Sequence, residues 1–145
     1  DTVDALIQAL QHQYESIRGA AAIALGSIGE GAIDAVPVLI QALQDQNKDV
    51  RYCVVEALGS IGEGAVPALI KALQHQNQPV RIPVVETLAK IGTPEAIKAA
   101  VTTLIQEMQD QNEVVRIVAA LTLEKIGTPQ ALEAIKNLEQ VKLSP

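Results

Sequence analysis

The sequence holds no tryptophan and no phenylalanine, only two tyrosines (Tyr14 and Tyr52), one cysteine (Cys53) and one methionine in 145 residues. A lone cysteine cannot close an internal disulfide, so a disulfide scaffold is excluded and a reducing, cytoplasmic setting is expected. Basic residues are also sparse, with 11 Lys and Arg against 17 Asp and Glu and a formal charge of −6. No basic run occurs, and stacking aromatics are nearly absent, so binding to nucleic acid or to an anionic membrane is not expected. No apolar run of membrane length and no signal-type start is expected either; because the chain begins at Asp1 rather than Met, the missing signal carries no weight. What is abundant is small and aliphatic: 48% of the residues are apolar, almost all Ala, Leu, Ile and Val. Such a chain can bury about two thirds of its unfolded surface.

Those residues recur. Leu39, Arg51 and Gly62 are separated by steps of 12 and 11 residues, and Leu6, Arg18 and Gly29 repeat the steps, as do Leu69, Arg81 and Gly92, and Leu104, Arg116 and Gly127. A core of 24 residues is thus written four times without a gap, and only the connection from glycine to the next leucine varies, over 10, 7 and 12 residues. Such a pattern belongs to stacked units, none of which can bury its apolar face alone. Units are expected at about 1–34, 35–64, 65–98 and 99–128, followed by an extra helix at 129–141.

Within each unit the apolar spacing predicts two helices and a polar turn. Val3, Leu6, Ile7 and Leu10 mark the first helix, and Ile17, Ala21, Ala24, Leu25 and Ile28 mark the second, which Gly29 ends. Asn47 and Asn77 are expected N-caps, and Thr93-Pro94 and Thr128-Pro129 read as a cap followed by proline at the first helical position. Pro37 and Pro67 fall where the missing N–H does no harm. Pro83 sits deeper, so a late start or a kink is expected in that helix.

The strings IRGAAAIALGSIG, VRYCVVEALGSIG, VRIPVVETLAKIG and VRIVAALTLEKIG resemble HEAT repeats, specifically the short phycobilisome-lyase-like type, over nearly the whole chain. The resemblance implies an all-α, right-handed solenoid of about four helix pairs plus a C-terminal helix, with the second helices lining a concave surface. It also implies that Arg18, Arg51, Arg81 and Arg116 link adjacent turns, with Asp45, Asp49 and Asp110 as partners. The family's turn aspartate, present as Asp45 and Asp110, is replaced by His12 and His75, so an acidic ladder would be incomplete.

No constellation for catalysis or metal binding is expected. His12 and His75 are followed by glutamines rather than by a second ligand, Cys53 reads as packing, and the glycines end helices instead of cradling phosphate. No cofactor is expected. A wheel drawn with Ile17, Ala21, Ala24 and Ile28 inward leaves an outer stripe that is apolar where solvent should make it polar. Ile23, Tyr52, Val55, Ile82, Val85, Ile117 and Leu121 would floor a partner-binding groove on helices about 10 Å apart, with Glu56, Glu86 and Glu124 selecting a basic or amide-bearing partner. Burial of part of this stripe between repeats, at position 22 and its copies above all, is the competing outcome. The expected function is a non-enzymatic scaffold for another protein. The alternatives are a subunit or chaperone-like component of a phycobilin lyase system acting on a light-harvesting protein, as the resemblance implies, and a segment of a larger signalling or scaffold protein. Apolar ends would also permit an end-to-end homodimer.

Overall fold

A computed structural model describes residues 1–75 and 78–143, so Asn77 lies outside the described residues. Among the described residues there are nine α-helices and no strand: α1 (Thr2–Ala9), α2 (Glu15–Ile28), α3 (Val36–Ala42), α4 (Lys48–Ile61), α5 (Val66–His75), α6 (Gln78–Ile91), α7 (Pro94–Glu107), α8 (Glu113–Ile126) and α9 (Pro129–Leu143). The pairs α1/α2, α3/α4, α5/α6 and α7/α8 are the four repeats of an α-solenoid, and α9 packs on α8 and α7 at the end.

Local chemistry sets the boundaries. Asn47 Oδ1 accepts from the N–H groups of Asp49 (2.8 Å) and Val50 (3.1 Å) to start α4, and Asn112 does the same for α8. Thr93 and Thr128 cap α7 and α9, each accepting an N–H three residues on at 3.2 Å. The glycine closing each second helix has a positive φ, from 66° at Gly127 to 82° at Gly62, a conformation that L-residues seldom adopt. The linkers after Gly29 and Gly62 are short 3₁₀ helices, Gly29–Ala35 and Gly62–Ala65, that run into α3 and α5.

The fourth unit's first helix starts at Pro94, as the Thr93-Pro94 pair suggests, with Thr93 as its cap. The added helix runs from Pro129 to Leu143. Of the late start or kink expected at Pro83, the late start is not seen: α6 runs through the proline from Gln78 to Ile91, the same 14-residue length as α2, α4 and α8. The proline forfeits one bond, to the carbonyl four residues back, and that carbonyl lies in the helix's opening turn.

The core is a row of leucines in one register. Leu25, Leu58, Leu88 and Leu123 on the second helices are fully buried, as are Leu39, Leu69 and Leu104 on the first. Each contributes roughly 2 kcal/mol through removal of its side chain from water. Helices α2 and α4 approach closely at Gly26, where an added Cβ would stand 3.0 Å from Ala57 Cα.

Two stretches, Glu15–Ala42 and Lys48–Gln74, are long and apolar enough by composition to cross a membrane (mean hydropathy 1.6 and 1.5), which corrects the expectation that no such run is present. Each is divided by its positive-φ glycine and 3₁₀ turn into helices that pack within the stack.

Candidate functional site

The turns position the second helices. Arg18 Nη1 donates to the carbonyls of His12 (2.8 Å) and Gln13 (3.0 Å), and its Nε and Nη2 form a fork on Asp45 of the next repeat at 2.7 and 3.1 Å. Arg51 and Arg116 hold the carbonyls of their own turns in the same way, at Asp45 and Gln46 and at Asp110 and Gln111. The two aligned hydrogen bonds, and after them the opposite charge, hold Asp45's carboxyl below, and Arg18's guanidinium above, its usual range. Of the partners expected for the arginines, Asp45 takes that role, whereas Asp49 is exposed and follows the cap. Arg81 reaches Glu107, at 3.1 Å.

His12 does the work of the aspartate it replaces. Asp45 Oδ1 accepts from the N–H of Asn47 and Asp110 Oδ1 from that of Asn112; His12 Nδ1 accepts the equivalent N–H, from Tyr14, at 3.0 Å, with the two rings 5.3 Å apart. Among the described residues, no group of three or more His, Cys, Asp and Glu converges as metal ligands would. Cys53 is partly buried against the core, facing Gly19.

With the turns fixed, α2 packs on α4 and α4 on α6, while the chain continues from α6 to α7 and from α7 to α8. Exposed on these second helices are Ile23 on α2, Tyr52 on α4 (66%), and Ile117 (50%) and Leu121 on α8. Val55 and Ile82 are partly buried. Val85 is not part of the groove: it is fully buried, with Ala22, its counterpart in the first repeat. The physical reason is that a stacked helix has neighbours on three sides, and this register faces the adjoining repeat. Glu86 and Glu124 are exposed. Glu56 is already engaged, its Oε1 accepting from Lys90 Nζ of α6 at 2.5 Å, a bond that raises the lysine's pKa.

Between α4, α6 and α8 lies a cavity of about 550 Å³, walled by Tyr52, Val55, Pro83 and Ala89 with Ile97 and Ile126 beyond, and edged by Glu56, Glu86, Lys90 and Lys125. It brings together Tyr52, Val55, Glu56 and Glu86 from the expected set; Ile23, Ile82, Ile117, Leu121 and Glu124 do not line it. The lysines were missed from sequence. The signal for them was in the register, where Ser27 and Ser60 of the first two repeats become Lys90 and Lys125. The arrangement offers apolar contact and oriented charges of both signs, chemistry suited to holding a partner.

Comparison with known proteins agrees with this architecture. Residues 115–140 match the family model for the PBS lyase HEAT-like repeat. No curated protein matches the chain. Among solved structures, an engineered protein determined as a Northeast Structural Genomics Consortium target is 26% identical, with a TM-score of 0.55 over 94% of this chain and 68% of that one. A second engineered protein from the same consortium is 25% identical, with a TM-score of 0.53 over 99% of this chain and 42% of that one. The complex of CpcE and CpcF of phycocyanin lyase from Nostoc sp. PCC7120 is 24% identical, with a TM-score of 0.63 over 99% of this chain and 90% of the matched chain; at that identity the likeness is one of fold. Residues 3–65 and 36–101 match the family model for HEAT repeats, and with the Leu-Arg-Gly register and the stacked helix pairs this places the chain in the HEAT-repeat family.

Proposed function

We propose that this chain holds a partner protein against the face formed by its second helices and does no bond-making chemistry of its own, working in the cytoplasm. The observation that carries this reading is the set of large apolar side chains left in water on the second helices, Ile23, Tyr52, Ile117 and Leu121, of which Tyr52 also walls the cavity of about 550 Å³. Covering such surface releases about 25 cal/mol per Å², and a stack already fixed by turn hydrogen bonds loses little freedom when a partner docks. Glu86 and Glu124, together with Lys125, would orient that partner, because Glu56 is engaged by Lys90.

A second reading narrows the partner. The match of residues 115–140 to the PBS lyase HEAT-like repeat and the fold shared with the CpcE and CpcF complex favour a subunit of a phycobilin lyase system over a general scaffold. The partner would then be a second lyase subunit or a bilin-carrying light-harvesting protein.

Both readings are tested by offering the purified chain and its Tyr52→Lys, Ile117→Lys variant, matched for helicity by circular dichroism, to purified phycocyanin and to lysate of the source cells. Capture by the parent chain and loss by the folded variant supports docking on this face. Equal capture by both overturns it. Capture of phycocyanin, seen by its visible absorbance, selects the lyase reading; capture of other proteins alone selects the scaffold.

A further inference from the structure

One rung of an ion-pair ladder is made between α4 and α6, and the next is missing between α6 and α8. The copies of Glu56 in the following two repeats are Glu86 and Leu121, and Lys90 and Lys125 each stand four residues further along. Lys90 of α6 reaches back to Glu56 of α4. Lys125 of α8 stands in the same register to Glu86 of α6. Yet these two form no ion pair, and neither has another side-chain hydrogen bond among the described residues.

The missing rung coincides with a gap in the stack. Between α2 and α4, an added Cβ on Gly26 would stand 3.0 Å from Ala57 Cα. Its copy Gly59 is covered by the stem of Lys90, whose Cδ would stand 3.0 Å from an added Cβ. The next copy, Ala89, lines the cavity of about 550 Å³. The first helix of the fourth repeat accounts for the change. Where α3 has 7 residues and follows a 3₁₀ turn, α7 has 14 and starts two residues after Gly92. Helix α6 therefore packs on α7, and Ile97 of α7 lines the space where α6 would otherwise meet its neighbour. Five charged side chains border that space. Glu56 and Lys90 neutralise each other, and Arg51 Nη1 is held by the carbonyls of its own turn. Glu86 on one wall and Lys125 on the other remain.

Resting on the reading that this face docks a protein, we infer that the gap between α6 and α8 receives a helix of the partner that carries an acidic residue and, four residues on, a basic one. Four residues is the spacing that sets two side chains on one face of a helix. Helix α6 itself carries the pattern in Glu86 and Lys90, of which Lys90 serves α4. A partner helix of the same kind supplies a cation to Glu86 and an anion to Lys125, so the ladder runs on through it. A uniformly acidic or uniformly basic partner is disfavoured, because either sets like charge against one of the two walls. A helix with its side chains is about 10–12 Å across, too wide for a cavity of about 550 Å³ to enclose. The partner helix therefore lies across the opening and fills the space with an apolar side chain, against Val55, Pro83 and Ala89.

The test is fluorescence anisotropy of the whole chain with a labelled, acetylated and amidated alanine-rich helical peptide centred on Glu-Ala-Ala-Leu-Lys, and with the same peptide centred on Gln-Ala-Ala-Leu-Gln. Glu86 and Lys125 are exposed, so Glu86→Gln and Lys125→Gln are expected to fold, as circular dichroism checks. Saturable binding of the charged peptide is the expected result, at least fivefold weaker for the neutral peptide and for each variant. No saturable binding, equal binding of the neutral peptide, or undiminished binding by either variant overturns the inference. Dimerisation of the parent in sedimentation equilibrium that Lys125→Gln abolishes assigns the gap to a second copy and overturns it too. So does a double-mutant cycle on unfolding in which Glu86→Gln and Lys125→Gln couple as strongly as Glu56→Gln and Lys90→Gln, since the rung then closes within the chain. A partner protein captured by the parent and by Lys125→Gln, but lost with Tyr52→Lys, Ile117→Lys, leaves the docking face standing without this gap. Equal capture by all three removes both.

Discussion

Arg18 and Asp45 belong to different repeats, yet the arginine donates from Nε to one carboxylate oxygen at 2.7 Å and from Nη2 to the other at 3.1 Å. The same guanidinium closes its own turn through His12 and Gln13, so one side chain fixes both a turn and its distance from the next. Arg18→Lys keeps the charge and loses the fork. It is expected to lower the thermal midpoint more than Arg116→Lys, whose arginine holds the turn of the last helix pair. Asp45 adds a pH dependence. Its carboxyl is held below the ordinary range, chiefly by the Arg18 hydrogen bonds, so the folded state binds that proton less readily than the unfolded chain. The stabilisation is fully present above the unfolded carboxylate pKa, near about 4, and is lost as pH falls through the lower folded value. Urea midpoints of Asp45→Asn should therefore fall less than those of the parent on going from neutral pH into the strongly acid range.

The helix-ending glycines are not equivalent. Gly62 has φ 82° and ψ −141°, a region essentially closed to side chains, whereas Gly127 has φ 66° and ψ 11°, the left-handed region that asparagine tolerates. Gly62→Asn should cost roughly 1–3 kcal/mol and Gly127→Asn under about 1 kcal/mol. Chemical denaturation of the two variants checks this, and equal losses would show that the two helix ends are not conformationally distinct.

Much of this fold is legible because the repeat spells its own register. The Leu-Arg-Gly steps place every second helix, and the caps at Asn47, Thr93 and Thr128 act as their side chains suggest. What a single helix cannot reveal is its third neighbour. A wheel separates inside from outside, and it therefore leaves Val85 on the groove, although stacking buries it completely. Contacts across repeats are hidden for the same reason: Lys90 meets Glu56 from 34 positions away. His12 reads as a gap in an acidic ladder because residue type was read as charge, while the turn requires only an acceptor for the N–H of Tyr14. Glu107 was visible as a break in an alanine column, after Ala9, Ala42 and Ala72, but its significance needs the burial and the missing donors.

That third neighbour gives a clean test of which residues face the groove. Tyr52 is 66% exposed, so Tyr52→Lys should alter stability by no more than about 0.5 kcal/mol. Val85 lies three residues from Ile82 on the same helix and is fully buried, so Val85→Lys places an ammonium among aliphatic side chains and should cost more than about 4 kcal/mol. Circular dichroism melts of the pair decide the matter. A cooperative, near-parental transition for Val85→Lys would mean that α6 is rotated from the orientation seen here.

Glu107 should act on stability in the opposite sense to Asp45. Its carboxyl is pushed above the ordinary range, first by burial, against the pull of Arg81 and with a smaller push from Asp110. The folded state therefore binds this proton more readily than the unfolded chain, and keeping Glu107 ionised opposes folding. That penalty is fully present above the raised folded pKa and is relieved as pH falls through it towards the unfolded value. Glu107→Ala removes the penalty and restores the alanine of the other repeats, while Arg81, which is partly exposed, keeps access to water. The variant should be more stable than the parent at neutral pH by roughly 1–3 kcal/mol. The difference should shrink as the pH is lowered towards 4, the ordinary carboxylate range. Denaturation midpoints of parent and variant at a series of pH values measure it. A variant less stable than the parent at neutral pH would mean that the ion pair with Arg81 outweighs the desolvation of the carboxylate.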